Sequence, residues 1–230
     1  MAIGFDTTTD YNNTGGAGTG HTWSHTITGS LPFLIVGVVF YADPGSISAS
    51  YNSVSMTQVG TLKQAATGNA RIALFYLKAP ATGTNTVSVT TGNSVNMWGA
   101  SASYTGVDQT SPFDASNEDA PAGASSSADI SVTTVANNCW IFLSTGSSAG
   151  RAHTSGTNTL IRTDVGASYS ALDTNAAITP AGATTVGATT TSGNDNWVLQ
   201  AMSFKPGVAA SSAKWIGAGF FTFLLGLFLR

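Results

Sequence analysis

The chain has 230 residues, of which only 8% are charged, with 26 Gly, one Cys and a formal net charge of −3. Glu, Lys and Arg are too scarce for a long-helix or coiled-coil protein, the lone Cys139 excludes a disulfide scaffold, and eight cations in all argue against nucleic-acid binding through bulk charge. A 42% hydrophobic content with five Trp argues against disorder, and Ser and Thr, about a quarter of the chain, supply the surface polarity that charge does not.

The opening segment, Met1 to Asp6, has neither a basic n-region nor an apolar h-region, so it does not read as a secretory signal peptide. That leaves release by another route, or a leader already removed. The first strand signal is 22–28, where Trp23, His25 and Ile27 alternate with Thr22, Ser24 and Thr26, the period of a half-buried strand. Residues 33–41 form a continuous Val-rich apolar run interrupted by Gly37 and read as a central strand. Further β-type runs cover 71–77, 86–91, 95–104, 128–133, 139–145, 158–163, 168–173, 184–189 and 197–204, separated by clusters of Gly, Asn, Pro and Ser. No amphipathic helix interrupts them. The fold class this predicts is all-β, an antiparallel β-sandwich of jelly-roll-like form.

The segment 106–128 holds Ser111-Pro112, Ala120-Pro121 and the small tract Gly123 to Ser127. Each side of it offers few recognisable strands, so the expectation is a long crossover between the sheets of one domain spanning 1–206, with a small-residue linker at 207–213. The end of the chain differs in kind. Between Lys214 and Arg230 lie Trp215, Ile216, Phe220, Phe221, Phe223, Leu224, Leu225, Leu227, Phe228 and Leu229, with no charge among them. This segment is expected to be a hydrophobic helix. Its fifteen apolar residues would span about 22 Å, short of a hydrocarbon core of roughly 30 Å. Apolar on all sides, such a helix needs lipid, a partner subunit or its own copies around it. Lys205, Lys214 and Arg230 leave five cations against eleven acids in the rest, so a body near −6 carries a basic tail, a split compatible with an anionic lipid surface.

Several stretches resemble β-sandwich modules of phage structural proteins and bacterial surface proteins. They are Trp23-Ser24-His25-Thr26, Tyr51-Asn52-Ser53-Val54-Ser55-Met56-Thr57 and Phe75-Tyr76-Leu77-Lys78-Ala79-Pro80-Ala81-Thr82-Gly83, then Tyr104 to Phe113 and Val198 to Pro206. The resemblance implies a jelly-roll-like fold without a defined catalytic site, and its motifs are those of strands and turns.

Candidate sites are few. Gly146 to Gly150 fits G-x-S-x-G, but a nucleophile elbow needs a helix after the serine and 151–158 has no helical period, so a plain loop is expected. His21 and His25, four apart on a strand, stand about 13 Å apart and cannot share one metal ion. The glycine loop 15–20 lacks the Lys-Ser/Thr ending of a phosphate loop. The only acidic concentration, Asp108, Asp114, Asn117, Glu118 and Asp119, offers hard oxygen ligands for Ca²⁺, the one cofactor entertained. Trp23, Trp98 and Trp140 read as core, while Tyr51 and Tyr169, nearer turns, are the candidates for stacking on a glycan.

The leading expectation is a non-enzymatic virion structural or surface protein, held by its tail against copies of itself, other virion proteins or a membrane through 215–229. The alternatives are a bacterial cell-surface or filament-forming protein of the same fold, and a carbohydrate-binding module.

Overall fold

The computed structural model describes residues 1–13 and 15–208. Among these there are seventeen strands and no helix. The first nine are β1 (Gly4–Asn12), β2 (Gly18–Ile27), β3 (Phe33–Phe40), β4 (Ile47–Tyr51), β5 (Val54–Ser55), β6 (Thr57–Gln64), β7 (Arg71–Lys78), β8 (Gly83–Val95) and β9 (Met97–Thr105). The remaining eight are β10 (Phe113–Asp119), β11 (Ser127–Thr133), β12 (Trp140–Ser147), β13 (His153–Ser155), β14 (Leu160–Val165), β15 (Tyr169–Asp173), β16 (Ala183–Thr190) and β17 (Trp197–Phe204). The expected hydrophobic helix at 214–230, from Lys214 and Trp215 to Arg230, lies outside the described residues, as does most of the linker.

All eleven sequence-predicted runs are strands, and the fold is an all-β set of antiparallel sandwiches. The strands that sequence did not predict, β1, β4, β5, β6, β10 and β13, are mostly edge strands or very short ones. An edge strand is paired on one side and wetted on the other, so GFDTTTDYN and FDASNED carry little apolar periodicity to detect.

The sheets expose an internal duplication. The first half has a five-stranded sheet, β1-β9-β3-β7-β6, facing a four-stranded one, β2-β8-β4-β5. The second repeats it as β10-β17-β12-β15-β14 facing β11-β16-β13. Each position in one sheet has its counterpart in the other; only the short edge strand β5 lacks one. Residues 106–128 therefore do not cross between sheets of a single sandwich. They join two topologically equivalent halves, and they contain β10. The sense that each side was short of strands came from missing the polar edges.

The register confirms the equivalence. Phe5 opposes Tyr104, with a bulge at Asp6, and Phe113 opposes Phe204, with a bulge at Asp114. Both bulged carboxylates do the same work. Asp6 accepts from the Thr28 N–H (2.9 Å) and the Ser103 hydroxyl (2.8 Å). Asp114 accepts from the Val135 and Ala136 N–H groups (2.9 and 3.1 Å) and the Ser203 hydroxyl (3.0 Å).

The two five-stranded sheets pack face to face, giving four layers and three cores. Along β3, Leu34, Val36, Val38 and Phe40 enter the core of their own half, while Phe33, Ile35 and Val39 enter a shared central core with Trp140, Phe142, Tyr169, Met202 and Phe204. Ile141 and Leu143 of β12 fill the third core, with Ile130, Val186 and Leu199. A strand between two cores is apolar on both faces, which is why β3 and β17 are buried at every position. The outer strand β11 instead alternates exposed and buried residues strictly.

β3 and β12 meet where the halves are related. Gly37 and Ser144 occupy equivalent positions, opposite Ala100 and Gln200 respectively, and a Cβ on Gly37 would stand 2.5 Å from Ser144 Oγ. Val39 and Gly146 are likewise equivalent, and a Cβ on Gly146 would come within 2.8 Å of Val39. Equivalent residues touch each other only at a two-fold axis, so the halves form an isologous, dimer-like interface within one chain. Hydrogen bonds at its margin join the halves further. Gln200 donates to the carbonyls of Val59 (2.7 Å) and Thr61 (3.2 Å), and Glu118 accepts from Thr61 N–H (3.1 Å) and hydroxyl (2.7 Å).

Candidate functional site

Three polar groupings and one cleft merit comparison. The first includes the G-x-S-x-G segment. Ser147, at the end of β12, donates to the Asp195 carboxylate, and His153 Nε2 lies 4.0 Å from the same oxygen. The other Asp195 oxygen accepts from the N–H groups of Ala149 (2.9 Å) and Asn196 (2.7 Å). Burial pushes the Asp195 carboxyl up, but the nearby His153 imidazole and the donations from Ser147, Ala149 and Asn196 outweigh it and hold it below the usual carboxylate range. A serine, a histidine and an aspartate thus come together, yet Ser147 and Asp195 are sealed from solvent and the serine bonds the carboxylate rather than the imidazole. Ser148, the central serine of the motif, accepts from the Ala70 N–H at 3.4 Å. No helix follows: Gly146 and Ser147 end β12, and 148–150 form a loop. The geometry pins that loop and leaves no base aligned on Ser147 or Ser148; His153 Nδ1 instead meets the buried Ser170 hydroxyl at 2.6 Å.

The second grouping contains the two histidines of β2. They share the inward face, where His21 Nδ1 meets the Tyr11 hydroxyl (3.1 Å) and His25 Nδ1 meets Thr9 Oγ1 (3.0 Å). Both Nε2 atoms are buried without a partner. Burial pulls the His25 imidazole down to about 4 despite the nearby Asp6 carboxylate, and His21 moves the same way. Since the unfolded chain protonates near 6.5, it binds protons that the folded chain refuses between pH 6.5 and 4. Stability present above pH 6.5 is therefore expected to fall as pH drops through that window, by about 3 kcal/mol from His25. Urea unfolding followed at pH 7, 5.5 and 4 checks this, and an unchanged midpoint would contradict it.

The third grouping lies between the halves. Arg162 on β14 holds Asp173 on β15 with both nitrogens, at 2.7 and 2.8 Å, and its guanidinium sits 4.0 Å over the Phe5 ring of the other half. The Tyr104 hydroxyl donates to Asp173 at 2.8 Å. Burial first, and then Asp173, pushes the Tyr104 phenol well above its ordinary value, so it stays a donor.

The sequence-predicted ligands do not converge. Asp108 caps its own turn, accepting from the Thr110 (2.7 Å) and Ser111 (3.2 Å) N–H groups. Those N–H groups, with the ammonium groups of Lys205 and Lys78, hold its carboxyl below the usual range. Asp114 fills its bulge, Glu118 bonds Thr61, and Asp119 accepts from the Ala120 N–H at 2.8 Å. Among the described residues no three His, Cys, Asp or Glu side chains gather around a possible ion. Tyr51 and Tyr169 are 0% exposed and present no face to a sugar. Tyr51 instead donates to the carbonyls of His25 and Gly83, and Tyr169 shares a hydrogen bond with Ser144 in the shared core. A turn in the sequence does not place its neighbours outside when two sheets close over it. Cys139 is buried, and burial with the Asp114 carboxylate beside it pushes its thiol up to about 12.

The open aromatic surface lies elsewhere. A cleft of about 570 Å³ at the junction of the halves is lined by Ser55, Thr57, Tyr76 and Lys78 from the first and by Ser111 and Phe113 from the second. Phe113 is 37% exposed and stacks on Tyr76, with centroids 6.1 Å apart and planes at 15°. Tyr76 rests in turn on Phe33, and Phe33 on Phe204 in the shared core. Tyr76 and Phe113 escaped the sequence reading because one looked like an ordinary strand residue and the other headed a strand that was not predicted. The available signal was an aromatic directly after Ser111-Pro112. No family model, curated protein or solved structure matches this chain.

Proposed function

We propose that this protein is a non-enzymatic structural component of a virion surface, held in its assembly by the apolar residues 214–230. The strand order supports a jelly roll in each half. Consecutive strands pass from one sheet to the other so that β1-β9-β3-β7 faces β2-β8-β4-β5, and β10-β17-β12-β15 faces β11-β16-β13. Jelly rolls build capsid and lectin domains. A four-layer body with three apolar cores and a Ser/Thr surface suits a durable, weakly charged particle component.

The observation that carries the reading is a contact between residue 1 and the residues that follow the last strand. The Met1 ammonium donates to the Gly207 carbonyl at 2.6 Å, so the chain leaves the described body beside its own first residue. In sequence the apolar segment follows Gly207 by seven residues, so its attachment to the body lies on the side where Met1 sits. Deleting 214–230 is expected to yield a soluble body with an unchanged unfolding midpoint that no longer enters the assembled particle. Incorporation at the full-length level would refute the reading.

A further inference from the structure

The geometry points to the cleft between the halves as a binding site for an acidic saccharide, a hexuronic or sialic acid unit stacked on Phe113 with its carboxylate toward Lys78 and Lys205. The two-fold relation between the halves makes Phe113 conspicuous. Its equivalent in the first half, Phe5, is covered by the Arg162 guanidinium at 4.0 Å. Tyr76 holds the position equivalent to Asp173, since it opposes Ile35 on β3 as Asp173 opposes Phe142 on β12. Where one half closes this place with an ion pair over a phenylalanine, the other puts an aromatic pair and leaves the outer ring open.

The platform is preorganised. Phe113 stands on Tyr76, Tyr76 on Phe33 and Phe33 on Phe204, so the ring that meets a ligand is backed by packed core and has little freedom left to lose on binding. A pyranose offers a face of C–H groups that lies flat on such a ring, whose face carries the negative end of its quadrupole. The volume is in the range of small-ligand sites, and the remaining lining is hydroxyl-bearing, with Ser55, Thr57 and Ser111 placed to bond a polyol rim.

Charge selects within the sugars. The body with Lys205 included carries six cations against eleven acids, a net charge of −5, yet Lys78 and Lys205 both sit at this junction, bonded to the uncharged Thr110 carbonyl and Ser111 hydroxyl, each at 3.1 Å. Asp108 is near both ammonium groups, and its carboxylate is already occupied by the Thr110 and Ser111 N–H groups. Two cations over one committed carboxylate leave a local positive excess that complements a ligand carboxylate.

The test is an NMR titration of the full-length protein with 3′-sialyllactose and digalacturonic acid, with lactose as the neutral control and AMP as an aromatic anion. At least one acidic saccharide is expected to perturb the resonances of Tyr76, Lys78 and Phe113, to weaken with added salt, and to bind about tenfold more tightly than lactose. Phe113→Ala and Lys78→Gln are each expected to weaken it about tenfold with unchanged melting temperatures, since both side chains are at the surface. A variant that melts early is replaced by Phe113→Leu or Lys78→Met. No response to either acid at about 10 mM, where a site of millimolar affinity is filled, would overturn the proposal. So would equal binding of lactose, tighter binding of AMP, or acid binding that survives loss of Phe113. None of these results bears on whether deletion of 214–230 blocks assembly.

Discussion

Replacing Arg162 by alanine is expected to cost about 3–5 kcal/mol of unfolding free energy. Asp173 is 0% exposed, and its carboxylate is balanced by the Arg162 nitrogens and the Tyr104 hydroxyl. Alanine leaves that carboxylate in the seam between the halves with two neutral donors, the Tyr104 hydroxyl and the Asn175 N–H, and no cation. It also removes the guanidinium from Phe5, so the loss reaches into the first half. The expected partner result is that Arg162→Met with Asp173→Leu recovers most of the stability, because the cost arises from an uncompensated buried charge rather than from the absence of an ion pair. Chemical denaturation of wild type, single and double variants measures it. If the double variant is no more stable than Arg162→Ala, charge burial is not the cause.

The second large effect is expected at Gly37. A methyl there would meet the Tyr169 hydroxyl, Tyr169 Cζ at 3.0 Å and Ser144 Oγ at 2.5 Å, where the two middle strands approach most closely. β3 is hydrogen-bonded on both sides, to β7 and β9, so it cannot retreat. Its other face is filled by the core of its own half, where Leu34, Val36, Val38 and Phe40 pack. Gly37→Ala should therefore cost about 3 kcal/mol through overpacking, against a gain of about 1 kcal/mol at most from the stiffer unfolded chain. Adding Ser144→Ala and Tyr169→Phe removes the atoms that the methyl strikes and is expected to return much of the loss. A triple variant as unstable as the sum of its parts would place the strain elsewhere.

Both predictions concern contacts between residues that the sequence keeps far apart, and this explains what could be read in advance. The buried strands were legible. The run Phe33 to Phe40 is apolar at nearly every position, and Ser127 to Thr133 alternates, so one announced a strand covered on both faces and the other a strand covered on one. The edge strands were not legible, because β1 and β10 are bonded through their backbones and carry side chains that water tolerates. The duplication was hidden for a related reason. Equivalent positions share a place and not a residue type: Tyr76 answers Asp173, Gly37 answers Ser144, Val39 answers Gly146. Phe5-Asp6 with Phe113-Asp114, and Ser103 with Ser203, are identities, while pairs such as Asp10 with Glu118 and Leu34 with Ile141 keep only their class; identities this short in 230 residues do not stand out from chance.

Candidate sites divided along the same line. Tyr51 and Tyr169 sit beside turns, and the sequence places such residues near solvent, yet both are inside. Tyr76 and Phe113 lie on strands of different halves and become a pair only when the halves meet.

By itself the sequence determined the β class, the inner strands, the polar Ser/Thr coat and the apolar character of 214–230, since each follows from local composition and a two-residue period. Tertiary structure decided that there are two equivalent sandwiches, that their larger sheets share a core, and that a cleft with an aromatic floor opens where they join. A period of two states that both faces of β3 must be covered. It carries no information about which distant strand covers each, because that is settled by the fit of side chains from both halves, where a glycine on one strand makes room for a tyrosine on the other.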